Sequence, residues 1–128
     1  MNVDMDMSRA PSLDLSKATK LKDVVFDNIR SEIQWVTTTI KTIKSKDLQQ
    51  IGIISYAYIP MSSPVRREIL QKWQDLDHLL VQLWTSHSVR PKIMYQGKHG
   101  ADDARGVTQR LLPELTRRGI IDVAMYDQ

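Results

Sequence analysis

Residues 62–95 read SSPVRREILQKWQDLDHLLVQLWTSHSVRPKIMY, a stretch that carries a helix, a turn and a strand in immediate succession. Ser63 is a natural N-cap, and Pro64 occupies the first helical position, where no N–H donor is needed. Apolar residues then fall at Val65, Ile69, Trp73, Leu76, Leu80 and Leu83, always three or four apart, which is one face of an α-helix. Leu79 and Trp84 widen that face, whereas Arg66, Arg67, Lys72, Asp75 and Gln82 lie elsewhere on it. The chain turns at Ser88–Pro91 and enters a short apolar strand, Lys92–Tyr95. So short a strand cannot stand alone, so the rest of the chain has to supply its neighbours.

The same strand-and-helix pattern recurs on both sides. Upstream, Leu21–Asp27 is rich in β-branched and aromatic residues and predicts a strand. Ser31 offers an N-cap for a helix to about Lys44, with Ile33, Val36, Ile40 and Ile43 on one face and Trp35 beside them. Thr37, Thr38 and Thr39 have poor helix propensity, so that helix depends on packing. Asp47 precedes a second strand, Leu48–Tyr56, and a polar loop with Pro60 leads to the long helix. Downstream, Gly97–Gly100 reads as a turn, and Asp102 or Asp103 as the cap of a helix bearing Val107, Leu111, Leu112 and Leu115. Pro113 should kink or restart that helix, and Gly119 ends it after Arg117 and Arg118. Ile120–Tyr126 is the last strand. Residues 1–17 are polar, contain Pro11 and lack periodicity beyond the alternation of Leu13 and Leu15, so they read as a disordered tail before a domain spanning 18–128.

Alternation of this kind predicts an α/β protein with a short parallel sheet of repeated strand-helix units joined by right-handed crossovers. The strands open at Leu21, Leu48, Pro91 and Ile120, at intervals of 27, 43 and 29 residues. Two of these are near the roughly 20–29 residues of a leucine-rich repeat, although the consensus leucine ladder is missing. The expected architecture is a leucine-rich-repeat-like arc with helices on one face. The alternative is a small doubly wound α/β domain, with helices on both faces, binding a nucleotide or phosphate through Gly97–Gly100 and nearby basic residues. Gly97–Gly100 lacks both the GxGxxG spacing and a Walker Lys-Ser or Lys-Thr pair, which leaves a turn as its reading.

Composition narrows the function. Cysteine is absent, which excludes disulfides and thiol chemistry and suits an intracellular, cytoplasmic or nuclear protein. No apolar run approaches the roughly 20 residues of a membrane helix, and Asp4 and Asp6 are unlike a signal peptide. The net charge of +3 is spread along the chain and is weak evidence for a nucleic-acid or lipid partner, so nucleic-acid binding ranks third, behind the two readings above. His78 and His87 fall on opposite sides of a helix and cannot share a metal, and Asp75 with His78 fits a solvated face. Asp102 and Asp103 suit a helix start better than paired catalytic acids. Arg66–Arg67, Lys98–His99, Arg105, Arg110 and Arg117–Arg118 are dispersed, and Trp35, Trp73 and Trp84 suit packing better than base stacking. No convergent reactive set emerges, so the expectation is a protein that is not an enzyme and uses no cofactor or metal.

Two segments carry a family resemblance. The Trp-x-x-Leu-Asp-x-x-Leu helix (Trp73, Leu76, Asp77, Leu80), the Arg90-Pro91-Lys92 strand entry and the Leu111–Ile120 run LLPELTRRGI resemble the C-terminal region of basidiomycete fungal F-box proteins with irregular leucine-rich repeats. The resemblance covers roughly residues 19–127 and is sharpest in Trp73–Tyr95 and Leu111–Asp127. It implies a curved stack of strand-helix repeats that recognises a protein substrate of a ubiquitin ligase. Nothing in residues 1–20 resembles an F-box, so ligase docking is not implied for this segment.

In such a stack alternate strand residues face the helices and the others line the concave face. With Val24, Phe26, Ile51, Ile53, Ile93, Val123 and Met125 inward, the binding face comprises Asp23, Val25, Gln50, Ile54, Lys92, Met94, Asp122 and Ala124. A slip of one residue would exchange the two sets. The expected partner is a protein, with self-association through exposed sheet edges as a further outcome.

Overall fold

Apolar side chains at every second position of four segments, mostly β-branched or aromatic, drive them into strands, and the helices between them close the crossovers. The computed structural model describes residues 2–4, 14–29, 33–55, 67–96 and 101–126. The elements are β1 (Asn2–Asp4), β2 (Asp23–Ile29), α1 (Gln34–Lys41), β3 (Gln50–Ser55), α2 (Arg67–His87), β4 (Arg90–Gln96), α3 (Ala101–Leu111), α4 (Pro113–Arg118) and β5 (Asp122–Tyr126). All strands are parallel, and their order in the sheet is their order in the chain.

That order decides the layering. Right-handed crossovers that always step in one direction put every helix on the same side of the sheet. Phe26, Ile53, Ile93 and Val123 lie in one register row. Val24, Phe26, Ile51, Ile53, Ile93 and Tyr95 share a core with Val36 and Ile40 of α1, Trp73, Leu76 and Leu80 of α2, Val107 and Leu111 of α3, and Leu115 of α4. Phe26 meets Trp35 edge to face, with ring centroids 5.7 Å apart. A doubly wound sheet requires a reversal of strand order, and this sheet has none.

Several element boundaries differ from the expectation for physical reasons. The N-cap of α1 is Ile33, which makes no side-chain cap bond, and the helix ends at Lys41. Its end is set by Thr42, whose N–H and hydroxyl both donate to the Thr39 carbonyl (3.0 and 2.7 Å), while Ile43 N–H turns back to Ile40 O. The expected cap Ser31 and the start of the long helix at Ser63–Arg66 lie outside the described residues, as does the Gly97–Gly100 turn. α3 begins at Ala101, which places Asp102 and Asp103 in its first turn rather than at the cap.

Pro113 restarts the helix as the first residue of α4, and Gly119 follows in the left-handed region at φ 67°. Pro91 lies inside β4, opposite Ile51. Arg90 N–H bonds Gln49 O on the β3 side, so the N–H that Pro91 lacks would face β5. Pairing with β5 starts only at Lys92 and Asp122, so no ladder bond is lost there.

The disordered-tail reading of residues 1–17 is corrected for the parts that are described. Asn2–Asp4 pairs with Val25–Asp27 as a parallel edge strand. Leu15 is 6% exposed and its N–H donates to Thr42 Oγ1 at 2.8 Å. The burial of Leu15 and this bond tie its part of the chain to the residue that ends α1.

Candidate binding face

The side of the sheet away from the helices presents the alternate strand residues in rows that run from strand to strand, with neighbours in a row about 4.8 Å apart. One row runs Asp23, Gln50, Arg90; the next runs Val25, Gly52, Lys92, Asp122; a third runs Ile54, Met94, Ala124. Every one of the eight residues named from sequence therefore falls on this side. The rows add Gly52 and Arg90, which the sequence reading did not name; Asp27, beside the bulge between Phe26 and Ile29, is paired only with Asp4 of β1.

Exposure across the face is uneven. Asp23 and Asp122 are exposed at its flanks, while Val25, Gln50, Lys92, Met94 and Ala124 are half-buried. Ile54 is 4% exposed. Gly52 leaves a dimple over which Val25 and Met94 lean: a Cβ placed on Gly52 would stand 3.4 Å from Val25 Cγ2 and 3.9 Å from the Met94 methyl. Arg90 starts in the first row, but its guanidinium carbon lies 6.0 Å from the Trp84 ring centroid, a cation–π contact that draws the charge toward the end of α2. The face thus has an aliphatic centre, a lysine beside it and carboxylates at both flanks.

The polar groups of the helix side are mostly structural. Asp77 of α2 is buried, and its two carboxylate oxygens accept the N–H groups of Glu114 and Leu115, each at 2.9 Å. These are orphan donors of the first turn of α4, so Asp77 acts as the N-cap that Leu112 does not provide. In the sequence Asp77 belongs to the Trp-x-x-Leu-Asp-x-x-Leu motif, which does not by itself name this role. Its signal was a carboxylate on the buried stripe between Trp73 and Leu80. Tyr95 Oη and Thr108 Oγ1 form a buried hydrogen bond of 2.8 Å, and burial pushes the Tyr95 phenol up to about 12. Glu114 is held down to about 2 by hydrogen bonds from Arg117 and Arg118.

Among the described residues the two histidines stand apart. His78 lines a groove of about 440 Å³ between α1 and α2 with Thr37, Lys41, Lys72 and Asp75, whereas His87 borders a separate cavity with Ile43, Lys44 and Leu83. Among the described residues no three His, Asp or Glu side chains are grouped to hold a metal ion. Arg117 and Arg118 both engage Glu114, and Arg105 and Arg110 also have partners; Arg66, Lys98 and His99 lie outside the described residues. Trp73 is 1% exposed within the core. No helix among the described residues is long and apolar enough to cross a membrane. Neither a protein-family model, nor a curated protein, nor a solved structure matches this chain.

Proposed function

We propose that this chain is a non-catalytic recognition module: a leucine-rich-repeat-like arc that binds a protein partner on the side of the sheet opposite its helices. The observation that carries the reading is the strictly sequential parallel order, which gathers α1 to α4 against one face. The other face is left as a platform of in-register side chains from four strands. Affinity there would come from burial of Val25, Met94 and Ala124 around the Gly52 dimple, and orientation from Lys92 between flanking Asp23 and Asp122. The resemblance of Trp73–Tyr95 and Leu111–Asp127 to the C-terminal region of F-box proteins supplies the class of target, a substrate of an SCF-type ubiquitin ligase.

Affinity capture with three forms of the chain tests the proposal, with the ligase adaptor among the proteins looked for. Met94→Glu places a charge at the centre of the face, and Lys72→Glu changes an exposed site on α2. Partners retained by the wild type and Lys72→Glu but lost by Met94→Glu support a working strand face. Identical partner sets on all three forms refute it.

A further inference from the structure

The positive charge, which looks dispersed in the sequence, is gathered by the fold at the edge of the sheet where the strands begin. The segments entering β2, β3 and β4 are tied side by side: Ser45 Oγ donates to Leu21 O (2.7 Å), Gln49 N–H to Lys22 O (2.7 Å) and Arg90 N–H to Gln49 O (2.9 Å). Residues 14–23, 42–49 and 87–90 carry six cations, Lys17, Lys20, Lys22, Lys44, Lys46 and Arg90, against three acids, Asp14, Asp23 and Asp47. That is a net +3, as much as the whole chain carries. All six cations are exposed. Two helix C-termini, those of α1 and α2, end here and present only about −0.5 charge each, so dipole neutralisation accounts for a minor part of the excess.

Within this basic edge lies a cavity of about 320 Å³, between the last turns of α1 and α2. Its walls are Ile40, Ile43, Leu48, Leu83 and Val89, and Lys44, Lys46 and His87 stand among its lining residues. Ile43 and Leu83 remain half-exposed on it. An aliphatic floor framed by cations selects a ligand that is apolar at one point and anionic around it.

We infer that this edge is a second docking surface, for an acidic linear peptide that seats one large apolar side chain in the cavity between the ends of α1 and α2. Charge complementarity sets the sign of the ligand, and the cavity volume suits a Leu- or Phe-sized anchor rather than a flat surface contact. A nucleobase would leave its polar edges unpaired against aliphatic walls. A bilayer surface is met by a protruding apolar element, not by a recess. The cavity shares none of its lining residues with the strand face, and of the six cations only Arg90 belongs to both surfaces, so the site stands or falls independently of that face.

The test is fluorescence anisotropy on the whole chain, using a labelled peptide with a central Leu flanked on both sides by Asp and Glu. Exchange of that Leu for Ser should weaken binding at least about tenfold, because a fully buried Leu contributes a factor of about 10–100. The chain variant Lys44→Glu/Lys46→Glu should weaken it by about tenfold or more, with the effect shrinking as salt is raised. Leu83→Arg, checked for an unchanged fold by circular dichroism, should abolish the gain from the Leu anchor. Met94→Glu on the strand face should leave the titration unchanged. Equal binding of the Leu and Ser peptides overturns the inference. Loss of binding in Met94→Glu overturns it too. So does equal or tighter binding of phosphatidylserine vesicles or of a single-stranded oligonucleotide.

Discussion

Removing the carboxylate of Asp77 should do more damage than any other single polar change in the described residues. Both of its oxygens are committed at 2.9 Å to the N–H groups of Glu114 and Leu115. Leu115 is itself fully buried, so water cannot replace the lost acceptor at that amide. A hydrogen bond to a charged group contributes about 1.5–3 kcal/mol, and loss of an N-cap costs about 0.5–2 kcal/mol. Part of this is offset because the variant no longer desolvates a carboxylate. Asp77→Ala should therefore lose about 3 kcal/mol, a large share of the roughly 5–15 kcal/mol that holds a small domain together. α4 is only six residues long and cannot persist by itself, so the damage should concentrate there. Asp77→Asn keeps the shape and one acceptor but opposes an amide NH₂ to the second backbone donor, and should lose about half as much. Urea unfolding followed by tryptophan fluorescence gives the total, and amide exchange at Glu114 and Leu115 gives the location. An Asp77→Ala chain within about 0.5 kcal/mol of wild type, or one whose Glu114 and Leu115 amides stay protected, would refute the reasoning.

The ends of α2 and α4 make a matched pair. Ser88 sits at φ 56° after α2 and Gly119 at φ 67° after α4, so Ser88→Gly should stabilise by about 0.5–1 kcal/mol and Gly119→Ala should destabilise by about 1 kcal/mol, read as shifts in the urea midpoint. The phenol of Tyr95 should resist ionisation until about pH 12, followed by absorbance near 295 nm. Because its folded pKa is raised from 10.0 to about 12, its contribution is complete below pH 10 and is lost as pH rises toward 12; Tyr95→Phe should lack this alkaline component and lose about 1 kcal/mol at neutral pH. Glu114 is the opposite case. Its folded pKa is lowered from 4.5 to about 2, so its favourable interaction is present above pH 4.5 and lost as pH falls through 2, and an NMR titration of its carboxyl group at low salt should place the midpoint well below that of an ordinary glutamate.

Which side of each strand meets the helices was legible because one face alone is packed by helices, and such a sheet writes its layering as alternation. Val24 and Phe26 in β2, and Val123 and Met125 in β5, alternate with Asp23, Val25, Asp122 and Ala124, and the register places each set together. β3 was the hard case, since Ile53 and Ile54 are adjacent and both buried. The parallel order followed from the alternation of elements and the handedness of crossovers, neither of which needs side-chain detail. What escaped were contacts between residues far apart in the chain. The cap of α4 comes from 37 residues upstream, and the edge strand at Asn2–Asp4 pairs with β2 across the whole intervening segment. The three threonines of α1 announced a weak helix, but which carbonyl Thr42 would occupy, and hence where the helix ends, depends on geometry that propensity does not encode. The basic edge escaped because the six cations belong to three separate segments, none of them a charge run.

The same topology that frees the strand face also makes the two edges of the sheet unequal. At one edge β1 has three residues, Asn2-Val3-Asp4, and a short strand offers little ladder to an incoming chain. At the other, β5 has five residues, Asp122–Tyr126, with Val123 and Met125 half-buried toward the helices and Ala124 half-buried on the opposite side. β5 has apolar residues on both sides and no lysine or proline, and the exposed Asp122 at its start is its one charged side chain. A cavity of about 380 Å³ lined by Arg105, Thr108, Thr116, Ile121 and Val123 adjoins it on the helix side, where side chains of an added strand would point. Self-association through a sheet edge, the outcome the sequence raised without choosing an edge, is therefore a property to seek at β5. It differs from partner recognition on the strand face in kind, because it would be driven by backbone pairing and so be indifferent to Lys92 and Met94.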